Sequence, residues 1–145
     1  MVAASCDTSF LFSLYGRDAN TTRAVAAVTT LAQPLTLTLF NEFELLNAIR
    51  FALFRQLLSA TAGASMIAAF EADISSGRLL IDRTNLTSVL GEAKRLSSAH
   101  TQTGGHRSFD ILHVAAASHL SAGAFLSFDS NQRALAKSAG LKVLP

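Results

Sequence analysis

Two short apolar runs in this chain end in aspartate: Ala4-Ser5-Cys6-Asp7 and Leu126-Ser127-Phe128-Asp129. Each is followed at once by a polar helix start, and helical patterns fill the chain between them. A buried strand that feeds directly into a helix is the repeating unit of an α/β sheet. Helical crossovers make such a sheet mostly parallel and cover both of its faces. In open sheets of this kind, ligands bind beyond the carboxyl ends of the strands. Asp7 and Asp129 therefore fall at the edge where the architecture makes sites. A lone aspartate at such a junction is more often a helix N-cap than a site residue. Finding two at the same kind of junction favours a site.

The remaining pattern is consistent with that class. Val2 to Cys6 reads as a strand, and Thr8 or Ser9 is able to cap the helix that follows. Asn20 to Ala32 is helical and closes at Gln33-Pro34. Leu35 to Thr38 alternates like a strand, and Thr38 opens a long apolar helix to about Leu58. Gly63 is read as a break before a helix ending at Gly77. Leu79 to Ile81 is extended and Asn85 to Ala99 helical, while His100 to Arg107 reads as a loop around Gly104-Gly105. Ser108 to Leu120 is helical, Ala124 to Phe128 a strand, and a last helix is capped by Gly140 before a strand from Leu141 to Leu144.

A length of 145 residues suits one domain, spanning 1–145, with no linker, repeat or low-complexity tract. Half of the residues are hydrophobic and 15% charged, which excludes a disordered chain. Cys6 is the only cysteine, so no internal disulfide and no thiolate metal cluster can form. That usage is compatible with a reducing cytoplasm. No basic, apolar leader opens the sequence, and no window reaches the roughly 18 apolar residues of a membrane span. The chain is therefore expected to be soluble, with its surplus apolar surface covered by a partner or a second copy.

Two further acids stand in apolar surroundings. Asp110 precedes Ile111-Leu112-His113-Val114, and Glu44 lies among Phe40, Phe43, Leu45 and Leu46. Buried carboxylates need a cation or hydrogen bonds, and several close together repel and rise in pKa without a counter-ion. Hard divalent ions, Mg²⁺ or Mn²⁺, suit oxygen-only ligands, activate water and stabilise a leaving oxygen. Scattered histidines and one cysteine give no zinc spacing. Glu42 competes with Glu44, since the two lie about 200° apart on a helix and cannot face one site together. With four acids committed to a metal, twelve basic residues face six acidic ones, a balance suited to a phosphodiester substrate.

Taken together these residues resemble a family. Asp7-Thr8-Ser9 at the end of a strand, Glu44-Leu45-Leu46-Asn47-Ala48 in a helix and Asp110-Ile111-Leu112-His113-Val114-Ala115-Ala116-Ala117 carry the likeness. Phe125-Leu126-Ser127-Phe128-Asp129 with Gln132-Arg133 and Ala139-Gly140-Leu141 completes it. The chain is similar over nearly its whole length to PIN domains, in particular to VapC-type toxin ribonucleases. The resemblance implies a three-layer PIN-like α/β domain with a mostly parallel central sheet flanked by helices. It implies a metal-dependent endoribonuclease of a toxin–antitoxin pair, with Asp7, Glu44, Asp110 and Asp129 holding Mg²⁺ or Mn²⁺. It favours Glu44 over Glu42, and gives Thr8, Ser9 and Ser127 the task of steadying the acids. Ser127 stands where the family often has threonine. It further implies an RNA substrate, a VapB-like antitoxin and a homodimer. His113, Gln132 and Arg133 are near enough to the acids to touch substrate, although a histidine in such a helix is more often packed. Arg107 and Arg55 are further cations that could meet phosphate. A phosphotransferase using Asp7, or a silent binding module of the same fold, are the alternatives; the first lacks a second aspartate two residues on and a suitable strand-end lysine.

Overall fold

Short apolar strands separated by helices can bury both faces of a sheet only if the helices divide between the two sides. The computed structural model describes residues 3–83 and 85–145. Five strands, β1 (Ala4–Cys6), β2 (Leu35–Thr38), β3 (Leu79–Asp82), β4 (Ala124–Leu126) and β5 (Lys142–Leu144), form one sheet in the order β3-β2-β1-β4-β5. Every pairing is parallel. The proposed beginning of β1 at Val2 lies outside the described residues.

The crossovers sort the helices into layers. α1 (Thr8–Tyr15) and α2 (Thr21–Thr29) connect β1 to β2, and α3 (Leu39–Phe54) and α4 (Ala60–Ser75) connect β2 to β3. These helices share a core with the sheet built on Cys6, Phe10, Leu35, Leu37, Leu45, Ile49, Phe70 and Leu126. The passage to β4 runs through α5 (Leu86–Leu96), a π turn (Ser97–Thr101), α6 (Gln102–Gly104) and α7 (Ser108–His119), and α8 (Ser130–Ser138) leads to β5. Val89, Leu96, Val114, Ala115 and Leu135 from that set enclose Phe125 in a second core. Phe125 and Leu126 are consecutive yet belong to opposite cores, as the period of a strand requires. The result is the three-layer α/β domain expected, with a sheet that is parallel throughout.

Four local expectations are corrected. The cap of α1 is Asp7 itself, whose carboxylate accepts from the Phe10 backbone N–H at 2.9 Å, while Thr8 and Ser9 lie inside the helix. Gly63 does not break a helix but lies buried within α4, where an added Cβ would come 2.8 Å from Leu53 Cδ1. The missing side chain is what lets α3 and α4 approach there. Residues 100–104 are helical, continuing α5 through its π turn, and only Gly105, at φ 67°, ends the run. A glycine in the left-handed region terminates a helix, whereas the one before it can stay helical. α3 also ends early, at Phe54, with Gln56 at φ 58°.

β1 is the centre of the sheet. From it the chain builds β2 and β3 to one side and then β4 and β5 to the other. The reversal opens a crevice beyond the carboxyl ends of β1 and β4, where strand order changes direction.

Candidate active site

Asp7 follows β1 directly at that crevice, and its backbone N–H continues the ladder to the Leu126 carbonyl of β4 at 3.2 Å. Its carboxylate is buried and every oxygen has a donor. Oδ1 accepts from Ser9 Oγ and from the Phe10 N–H, both at 2.9 Å, and Oδ2 accepts from Ser127 Oγ at 2.5 Å. Burial pushes the pKa of Asp7 up from its ordinary value of 3.8, and these hydrogen bonds only partly offset the desolvation. Ser127 also accepts from the Asp129 backbone N–H at 3.1 Å, so one hydroxyl ties Asp7 to the start of α8. Asp129 caps α8, its Oδ1 accepting from the Gln132 N–H at 2.7 Å.

Glu44 is in the second turn of α3 and is set by a buried polar chain. Asn41 Oδ1 accepts from the Thr38 backbone N–H at 2.9 Å, and Nδ2 donates to the Cys6 carbonyl at 3.0 Å. One partner can only donate and the other can only accept, so the amide orientation is determined. The same Nδ2 lies 3.3 Å from His113 Nδ1, which must accept. Nε2 then carries the ring proton and donates to Glu44 Oε2 at 2.9 Å, with Thr8 Oγ1 at 3.2 Å from the same nitrogen. This is a directed hydrogen bond from a buried ring to a half-buried carboxylate. Thr8 therefore reaches His113 and not an acid.

Asp110 occupies the first turn of α7, one turn before His113. Its Oδ2 accepts from Arg107 Nε at 2.8 Å. Asp110 raises the pKa of Arg107 first through that hydrogen bond and then by charge, with smaller effects from Asp129 and Glu44. One guanidinium thus lies in the field of three acids from three helices. Asp7, Asp18, Glu44, Asp110, Asp129 and Arg107 all line one open cavity of about 380 Å³, together with the apolar side chains of Phe12 and Ala48. Glu42 is not among its walls. Among the described residues, no three of these acids converge closely enough to grip one ion as they stand.

The other residues named from sequence take different places. His113 and Gln132 are buried behind the cavity wall. Gln132 Nε2 donates to the Asp110 backbone carbonyl at 3.0 Å, which ties α8 to α7. Arg133 turns away and donates to the carbonyls of Ser127, Leu144 and Pro145. Arg55 is exposed beyond α3, with its guanidinium 5.9 Å from the Phe51 ring centre. Sequence reasoning missed Asn41, although Asn three residues after Thr38 is a recognisable reciprocal cap. It missed Asp18 as well, which accepts from Ser13 Oγ at 2.8 Å and has no distinguishing sequence signal.

No family model and no curated protein matches the sequence. Solved structures do match the shape. VapC20 of Mycobacterium tuberculosis, described as a sarcin-ricin loop cleaving toxin, superposes with a TM-score of 0.73 at 14% identity, covering 99% of this chain and all of that one. FitAcB of Neisseria gonorrhoeae gives 0.64 at 16% identity over 98% of this chain and 96% of that one. The fold is that of a PIN domain. PAE2754 of Pyrobaculum aerophilum gives 0.62 at 18% identity, over 98% of this chain and 89% of that one. At such identities the likeness establishes the PIN-like fold alone. The acidic crevice between β1 and β4 is this chain's own arrangement, read from its own side chains.

Proposed function

We propose that residues 1–145 form one PIN-like nuclease domain, a metal-dependent endoribonuclease that hydrolyses RNA phosphodiester bonds and serves as the toxin of a VapBC-like pair. The observation that carries this reading is the gathering of Asp7, Glu44, Asp110 and Asp129 from four separate elements into one cavity at the switch point. Four acids around one cavity with a single cation among its described lining residues, Arg107, make a place where a further cation is favoured. The donor set suits Mg²⁺ or Mn²⁺, which keep several waters and need few direct protein ligands.

Asp7, Asp110 and Asp129 would hold the ion, with Glu44 reaching it directly or through water. When bound, the ion would supply activation of water and stabilisation of charge on the leaving oxygen. The chain's own residues do the positioning. Ser9 and Ser127 fix the rotation of Asp7, and the Asn41–His113 chain aims Glu44. Gln132 holds the turn that presents Asp110. Arg107, once an entering cation takes Asp110, is the cation on the cavity wall available to a substrate phosphate.

The phosphotransferase alternative finds no support, since Ser9 and not a second aspartate stands two residues after Asp7, and no lysine is among the described residues that line the cavity. The toxin part of the reading draws on surface chemistry. Phe43, Phe51, Phe54 and Leu57 are 62%, 55%, 79% and 68% exposed along and just beyond α3. Such a face is suited to a second copy and to the amphipathic helix of an antitoxin. Incubation of the purified protein with labelled RNA, with EDTA, Mg²⁺ or Mn²⁺, tests the activity. Cleavage should require the metal and fall by about a hundredfold or more in Asp7→Asn and Asp110→Asn. Metal-independent cleavage, or none from well-folded protein under every metal, overturns the proposal.

A further inference from the structure

On the far side of the Phe128–Asp129 junction the charge reverses. Arg23 of α2 and Phe128, Ser130, Arg133, Ala134 and Lys137 at β4–α8 line a second cavity of about 510 Å³. Three cations line it and no side-chain carboxylate does. The Arg23 guanidinium lies 5.2 Å from the Phe128 ring centre, and Phe128 in turn stacks on buried Phe10 at 5.5 Å with the planes 21° apart. The aromatic is therefore held in place from below while the arginine covers it. Arg133 is anchored through Nη1 to the Ser127, Leu144 and Pro145 carbonyls, so its charge is fixed at the cavity. Arg23 and Lys137 are exposed, Arg23 while lying over the Phe128 ring.

The acidic and basic cavities meet at adjacent residues, Asp129 in one and Ser130 in the other. We propose that the basic cavity is the subsite for the single-stranded RNA segment next to the scissile phosphate. This deepens the nuclease reading and rests on it. Arg23 and Lys137 meet phosphates, and the Arg23–Phe128 stack offers a flat face to a base. Guanidinium and aromatic planes are the surfaces on which unpaired bases stack. An acidic peptide would use the charge but not the stack.

The test reads binding without cleavage. Fluorescence anisotropy of a fluorescein-labelled oligouridylate is followed in EDTA from about 50 to about 200 mM KCl. Arg23→Gln with Lys137→Gln should weaken binding on the order of tenfold and reduce the slope of log affinity against log salt by about 1.4, roughly 0.7 for each phosphate contact. Arg78→Gln with Lys94→Gln, the same loss of charge at the far end of the sheet and on α5, should leave both unchanged. If the first pair fails to fold, Lys137→Gln alone carries the test with half the change in slope. Equal losses in both pairs, wild-type binding in the first, or displacement of RNA by polyglutamate at equal charge would overturn the subsite. Lost binding without cleavage under any metal keeps a strand-binding cavity and removes the nuclease. Normal cleavage with unaltered binding does the reverse.

Discussion

Asp7 is a buried acid of the cavity, and the direction in which burial moves it gives a prediction. Its folded pKa is raised above the ordinary 3.8. Folding therefore favours its protonated form, and the stability linked to that proton is complete below about pH 4 and lost as pH rises through the raised folded value. In EDTA, urea unfolding should show wild type losing ground to Asp7→Asn as pH climbs from about 4 towards neutrality, then running parallel. A constant difference across that range would remove burial as the cause. Glu44 gives a second residue-level case. His113→Ala should weaken Mn²⁺ binding and cleavage by about 10- to 100-fold by releasing the carboxylate it aims, as loss of a group behind a ligand does. Glu44→Gln should abolish cleavage and Glu42→Gln should leave most of it, because only Glu44 faces the cavity. Arg107→Gln separates two roles. Metal titration should show tighter Mn²⁺ binding, since a competing cation is gone, while the cleavage rate falls.

At the scale of elements, α3 connects packing to the site. Its buried stripe of Asn41, Leu45, Ile49 and Ala52 sets the rotation that presents Glu44 to the crevice. Against its far end lies Gly63 of α4, with Leu53 filling the space where a side chain would be. Gly63→Leu should lower stability by about 1–3 kcal/mol or more through overpacking, measured by denaturant unfolding. It should also loosen the contact that steadies the end of α3. If unfolding is unchanged, the two helices can separate freely and the close approach is not a constraint. The π turn at Ser97–Thr101 extends α5 by a few residues, so that the chain returns to Arg107 and the start of α7 at the cavity.

At the scale of the whole molecule, metal and association are the proposed sources of added stability. A ligand present at a hundred times its dissociation constant stabilises the folded state by about 2.7 kcal/mol. Thermal melting with millimolar Mn²⁺ should therefore rise for wild type and rise less for Asp110→Asn, with identical melts speaking against a shared site. The apolar face of α3 makes a separate prediction. Light scattering should find an assembly larger than one chain, and Phe54→Ser with Phe51→Ser should shift it towards the monomer. No helix among the described residues is long and apolar enough to cross a membrane, so that face is not a spanning segment.

Much of this could be read from local sequence, because it depends on neighbours in the chain. Strand and helix periods identified the α/β class, and strand-end aspartates located the edge where the acidic cavity opens. The resemblance chose the acids that the fold places around one cavity. Local signals misled at two glycines, one because of a tertiary contact and one because of backbone conformation. Gly63 reads as a breaker until Leu53 is seen occupying its missing Cβ, and the Gly104-Gly105 loop shortens because only Gly105 needs the left-handed region. Asn41 looks like an ordinary cap, yet its second hydrogen bonds reach Cys6 and His113, which are distant in sequence. Arg133 looked like a substrate contact and is taken up by carbonyls of two strand ends. Arg107 reads from sequence as a loop cation able to meet phosphate, and it lies paired with Asp110 in the field of Asp129 and Glu44. The sequence alone determined which residues could be ligands and which elements carry them, since period and capping are local. Only the tertiary structure decided which acids share a cavity, which proton His113 carries and where charge reverses beside Asp129, because those depend on hydrogen bonds and fields between residues far apart in the chain.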